Sequence, residues 1–176
     1  MAKLFPDLDM IKSAKQKPTE GELYLLQELL DNILNYDNKA EIYFQPFFNG
    51  ERPDIVLIHK DRGIIIIEVK DWDLNAYELS ENNEWIVKHN NCKIKSPFAQ
   101  VFGYKKNMFD LHINGLYEKY LFNKNFYNAI SCFVYFHKAT KEQINKFYNK
   151  LLDQYKTRKK EVCSRGYSEE RDKYIK

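Results

Sequence analysis

The sequence of 176 residues is poor in the residues that staple or punctuate a chain: three cysteines, six glycines, five prolines and only two tryptophans. Cys92, Cys132 and Cys163 lie far apart, are odd in number and form no CxxC pair. That argues against a disulfide framework and against a thiolate zinc site, leaving buried or idle thiols. His59, His89, His112 and His137 show neither HxxxH nor HxH spacing, so no histidine-rich metal site is expected. Long apolar runs are missing too: nothing approaches the roughly 20 residues that cross a bilayer. The opening stretch MAKLFPDLDMIKSAKQ lacks the continuous apolar core of a secretory signal, and the expectation is a cytoplasmic protein with no membrane partner. Nor is there a strong excess of one charge: 28 Lys and Arg stand against 25 Asp and Glu, so bulk charge announces no polyanionic partner.

What the chain does contain is apolar and aromatic matter in quantity, 44% and 15% of residues, enough for one folded core. We expect a single domain over residues 1–160 and a charged tail over 161–176. Charge is unevenly spread: from Lys138 onward there are 12 Lys and Arg against 6 Asp and Glu, and the preceding residues sum to −3. A basic end suits a polyanion, and it equally suits a solvated helix.

Thr19 and Glu22 stand at capping-box spacing and open a predicted helix carrying Leu23, Leu26, Leu30, Ile33 and Leu34 on one stripe. Predicted strands follow at 41–48, 54–59 and 64–70, the last two joined by Lys60-Asp61-Arg62-Gly63 as a hairpin. Four successive isoleucines, Ile64 to Ile67, predict a strand in the middle of a sheet and covered on both faces. A small hairpin is expected from 74–79 and 85–89. A helix should start at Ser96-Pro97 and run to about His112, a buried strand should span 129–136, and an amphipathic helix 140–160. The order is that of an α/β protein, a central mixed β-sheet flanked by α-helices.

The chemistry concentrates at the end of the third strand. Residues two apart share a face, so Glu68 and Lys70 project together from an otherwise apolar strand. Such charges are costly to bury unless paired, hydrogen-bonded or metal-bound. Any odd hairpin loop puts Asp54 on their face; a three-residue loop with Gly63 left-handed would set Asp54 across from Lys70. Two carboxylates and a few waters suit Mg²⁺. The bland alternatives are a surface salt bridge for Glu68 and Lys70 and a strand start for Asp54 after Pro53.

Pro53-Asp54 followed by Glu68-Val69-Lys70 resembles the PD-(D/E)xK nuclease signature. Gly21-Glu22, Gly63-Ile64 through Lys70-Asp71-Trp72, Trp85, and Ser96-Pro97 through Gln100 are similar to the nuclease-related domain, NERD, over about residues 18–137. Gln100 and Tyr104 match the QxxxY motif of the exonuclease-like branch, and their spacing puts both on one helical face. The resemblance implies a restriction-endonuclease-like core and a Mg²⁺- or Mn²⁺-dependent deoxyribonuclease. It also implies that Asp54, Glu68 and the main-chain carbonyl of Val69 hold the metal, with Glu22 a further acidic ligand. Lys70 would orient or activate the attacking water, and Gln100 and Tyr104 would position the substrate strand. Glu22 has a second account as a capping residue without catalytic duty, and Tyr104 as a core residue. Around the site, Lys93, Lys95, Lys105 and Lys106 are candidates for phosphate contacts, and Trp72 and Trp85 for base stacking. The implied partner is DNA, with RNA not distinguished. A helicase partner or fusion is in keeping with the family, although the chain carries no GxxxxGK[ST] motif. A non-cleaving nucleic-acid-binding accessory domain, in repair or in defence against foreign DNA, is the competing expectation.

Overall fold

A computed structural model describes residues 3–34, 38–48 and 50–149. These residues fall into two compact units, 3–73 with 94–138 and 74–93 with 139–149.

The larger unit holds a five-stranded mixed sheet. Strands β1 (Lys3–Phe5), β2 (Ala40–Phe44), β3 (Ile55–His59), β4 (Gly63–Lys70) and β8 (Ile130–Phe136) lie side by side in that order. The outer pairs β1·β2 and β4·β8 are parallel, and the inner pairs are antiparallel. Helices α1 (Leu8–Ser13) and α2 (Glu20–Leu29) bring Ile11, Leu26 and Leu30 against Ile42, Phe44, Ile55 and Leu57. Helix α3 (Pro97–Asn107) and α4 (Leu116–Phe122) bring Val101, Tyr104, Met108 and Leu116 against Val56, Ile66 and Ile130. Alternate residues of β3 and β4 thus feed two separate cores, which is why the isoleucine run shows no polar alternation. The fold is α/β, a mixed five-stranded sheet flanked by helices as in nuclease-like cores.

Helix starts form where local chemistry puts them. Asp7 accepts from the Met10 amide at 2.9 Å, Ser96 caps α3 with Pro97 in its first turn, and Thr19 and Glu22 close both bonds of a capping box. Helix α2 gives way to a π-helical turn at Leu30–Leu34, and α3 to another at Met108–His112. Leu26 and Leu30 are buried as predicted, but Leu23 lies on the solvent side of the stripe at 38% exposure.

The β3–β4 hairpin closes through Lys60-Asp61-Arg62, with His59 opposite Gly63 and Ile55 opposite Ile67. Continuing the ladder by one pair sets Asp54 across from Glu68, not from Lys70 as the predicted register had it. The loop length is odd in both registers, so the shared face survives the correction. Gly63 has φ 94° and opens β4 rather than closing the loop.

Strand β2, the first that the sequence predicts, stops at Phe44, short of the predicted 48: Gln45 turns to φ 45° and Phe47 is 74% exposed. β8 is an edge strand of the sheet among the described residues, buried only at Ile130 and Phe136, where a fully buried strand was expected. Strand β1 and helices α1 and α4 have no counterpart in the sequence prediction.

In the smaller unit, a 3-10 turn at Leu74–Ala76 leads into β5 (Tyr77–Leu79), β6 (Trp85–Val87) and β7 (Cys92–Ile94), a three-stranded sheet where a hairpin was predicted. Residues 141–149 are helical, and the rest of the predicted helix to 160 and the tail 161–176 lie outside the described residues.

Candidate active site

The site forms where β3 and β4 end together. Valine, isoleucine and leucine hold both strands in the cores, so the polar residues that bracket them are carried to one rim of the sheet. Alternation places Asp54, Glu68 and Lys70 on the side of Val56 and Ile66, the side that α3 covers.

Glu68 is 2% exposed. Its Oε1 accepts from Lys70 Nζ at 2.5 Å, and its Oε2 is buried with no hydrogen-bond partner among the described residues. Burial raises the Glu68 pKa, and the Lys70 ammonium opposes that rise. Asp54 Oδ2 accepts from the Val69 amide at 2.7 Å. Its pKa is pushed up to about 8, first by burial and then by the charge of Glu68, with Glu22 adding to the rise. Helix α2 supplies that third carboxylate: Glu22 is 6% exposed, and its charge adds to the rise at Asp54.

Helix α3 closes the other side. Gln100 Oε1 accepts from Lys70 Nζ at 3.3 Å, and Gln100 Nε2 donates to Tyr104 Oη at 2.8 Å. The i, i+4 spacing of Gln100 and Tyr104 becomes a continuous polar connection to Lys70. The Lys70 ammonium also lies over the Trp72 ring, 5.1 Å from its centroid. Asp54, Glu68, Lys70, Glu22, Gln100 and Tyr104 therefore meet in one place, and Val69 contributes backbone to it.

An acidic cluster of this kind, with one ammonium and a buried carboxylate oxygen left over, is complementary to a divalent cation. Among the described residues no group of three or more His, Cys, Asp or Glu side chains is placed to hold a metal ion by itself. Mg²⁺ needs none, because it is commonly bound through one or two carboxylates and keeps several waters. The donor set is oxygen throughout and fits that ion.

The model of the nuclease-related domain matches residues 17–137. This chain belongs to the nuclease-related domain family. No curated protein and no solved structure matches the chain. The NERD match spans every residue of the cluster, from Glu22 to Tyr104.

The predicted phosphate-binding lysines fare unevenly in this NERD chain. Lys105 is only 6% exposed, with its ammonium 3.5 Å from the Tyr127 ring centroid and its pKa lowered by burial. It is a core residue of α3 and is withdrawn as a phosphate contact. Trp85, 2% exposed and packed on Tyr77 and Phe147, is withdrawn as a stacking platform. Lys95 is exposed, and Lys106 is exposed but paired with Asp110 at 2.6 Å. Lys93 belongs to the smaller unit, where it pairs with Glu84 at 2.7 Å. Exposed pairs of this kind are weak enough for a phosphate to displace.

Three residues at the rim escape the motif: Gln45, Arg52 and Asp71. Gln45 donates to Glu22 at 2.9 Å and Arg52 holds Gln45 at 2.8 Å. Asp71 accepts from the Gly21 amide at 3.2 Å and so ties the start of α2 to the end of β4. The available signal was adjacency, since Arg52 precedes Pro53-Asp54 and Asp71 follows Lys70.

Proposed function

We propose that this protein is a metal-dependent nuclease that hydrolyses phosphodiester bonds in DNA, acting in the cytoplasm with Mg²⁺ or Mn²⁺. The observation that carries this reading is the meeting of Asp54 with Glu68 where two strands end, Asp54 bonded to the Val69 amide and Glu68 Oε2 buried without a hydrogen-bond donor beside the Lys70 ammonium. An orphaned buried carboxylate oxygen is costly, and a hard cation is the partner that best offsets the cost.

In this reading Asp54, Glu68 and the Val69 carbonyl hold the cation, with Glu22 as a further acidic group, direct or through water. When bound, the metal supplies Lewis acidity, lowering the pKa of a coordinated water and stabilising charge that develops on the phosphate. The residues do the rest. Lys70, anchored between Glu68 and Gln100, presents an ammonium that orients the attacking water and stabilises negative charge in a dry setting. Gln100, itself bonded to Tyr104, holds that ammonium from the α3 side, and both residues offer polar atoms to the substrate strand. Trp72 is a half-buried ring beside Lys70, suited to a base or sugar, and Lys95 and Lys106 are exposed cations for flanking phosphates.

The test is nicking of supercoiled plasmid by the purified chain in Mg²⁺ or Mn²⁺, with EDTA as control. Cleavage should appear with metal, vanish with EDTA, and fall by at least about 100-fold in Asp54→Asn and in Lys70→Met, each verified as folded by circular dichroism. If wild type and both variants are equally inactive while binding DNA equally well, the protein is a non-cleaving accessory module instead, for a helicase or other assembly.

A further inference from the structure

Glu22 is held by more than its capping box. Its Oε2 accepts from the Thr19 amide at 2.7 Å, and its Oε1 accepts from Gln45 Nε2 at 2.9 Å. Gln45 is itself fixed at two more points. Its amide donates to the Asp54 carbonyl at 2.7 Å, and its side-chain oxygen accepts from Arg52 Nη2 at 2.8 Å. The other terminal nitrogen of Arg52 donates to Gln16 Oε1 at 2.9 Å.

A glutamine that bridges a guanidinium and a carboxylate can do so in one sense only, oxygen to the cation and NH₂ to the anion. Arg52 therefore decides that Gln45 offers donors to Glu22. The backbone of Gln45 sits at φ 45°, a left-handed conformation that residues with a Cβ adopt rarely and that persists where surrounding bonds over-determine it. Here those bonds are the contacts to Asp54, Glu22 and Arg52.

The chemistry of the donor is informative. A lysine touching Glu22 would neutralise the carboxylate and compete with a cation for it. A neutral amide fixes the direction of the carboxylate and leaves its negative charge available, and the guanidinium stays one residue removed. Outer groups of this type orient and tune metal-binding carboxylates.

We propose that Gln45, set in its sense by Arg52, is a positioning residue that holds the Glu22 carboxylate beside Asp54 for binding of the divalent cation. This rests on the metal-dependent reading of the site. Gln45 bonds Glu22 directly and Arg52 bonds Gln45, so in this proposal both act through Glu22.

The experiment is a MnCl₂ titration of the full chain, followed by electron paramagnetic resonance of free Mn²⁺, for wild type, Gln45→Met, Arg52→Met, Glu22→Gln and the Glu22→Gln/Gln45→Met double variant. Gln45→Met keeps the length of the side chain and the backbone strain while removing both polar ends. It should weaken Mn²⁺ binding about 10-fold. Arg52→Met, a change at an exposed position that leaves folding secure, should weaken it in the same direction. The double variant should bind no more weakly than Glu22→Gln alone. Unchanged Mn²⁺ affinity in both Gln45→Met and Arg52→Met, or losses that add with Glu22→Gln, overturns the proposal, whereas a purely structural role would lower the melting temperature and leave the affinity alone. If Gln45→Met does not fold, Arg52→Met decides. Wild type that binds no Mn²⁺ overturns the metal-dependent reading and this proposal together; wild type that binds it while the variants bind equally well overturns this proposal alone.

Discussion

Burying Glu68 next to Asp54 and Glu22 is tolerable because Lys70 sits against it, with side-chain exposures of only 3% and 14% for the pair. Removing one partner of such a pair leaves an uncompensated charge, at a cost of roughly 3–5 kcal/mol when the remaining group stays ionised. Lys70→Met should therefore lower the unfolding free energy in urea by up to about that amount, and by less where Glu68 takes up a proton. The same crowding fixes a pH dependence. Folded Asp54 keeps its proton to about pH 8 while an unfolded aspartate loses it near 3.8, so ionisation costs stability between those values. The contribution of Asp54 is fully present below the lower value and is lost as pH rises through the upper one. Metal-free protein should lose thermal stability across that window, and Asp54→Asn should flatten the profile. Cation binding runs the other way, because it requires the proton to leave. Mn²⁺ affinity measured by isothermal titration should rise with pH up to about 8 and then level off.

Helix α2 reaches the site through one local device and one tertiary one. The capping box starts the helix at Thr19, and the close approach of Gly21 to Asp71 and His137, just past the ends of β4 and β8, seats it. A Cβ at Gly21 would meet Asp71 Oδ1 at 2.2 Å and His137 Cβ at 2.7 Å, so α2 would have to move off the sheet rim, carrying Glu22 with it. Gly21→Ala should destabilise the fold by about 1–3 kcal/mol in thermal unfolding. It should also weaken Mn²⁺ binding, a loss that a substitution on the far side of α2 would not produce. The starts of α2 and α3 were legible in the sequence because a cap is settled by neighbours three residues apart. The pairing of β1 with β2 was not, since three residues, Lys3–Phe5, carry too little periodicity to announce a strand. Its partner, Ala40–Phe44, lies far along the chain.

For the whole molecule, a bound cation adds its binding free energy to stability, about 2.7 kcal/mol at a hundredfold excess over its Kd. In a chain of this length that corresponds to a melting temperature roughly 5–10 °C higher in saturating Mn²⁺, reversed by EDTA and diminished in Asp54→Asn. The absence of any shift in differential scanning fluorimetry would contradict a cation at this site. No described helix is long and apolar enough to cross a membrane. Buried apolar residues gather in two cores that grip the sheet. The sequence by itself determined the order of the main elements, the common face of Glu68 and Lys70, and the i, i+4 alignment of Gln100 with Tyr104, because each follows from the period of a strand or a helix. Only the tertiary structure decided that the hairpin register sets Ile55 opposite Ile67, that Lys105 and Trp85 are buried, and that Gln45, held by Arg52, bonds Glu22. Those outcomes depend on hairpin register and on contacts between distant segments, and the local pattern of residues does not encode either.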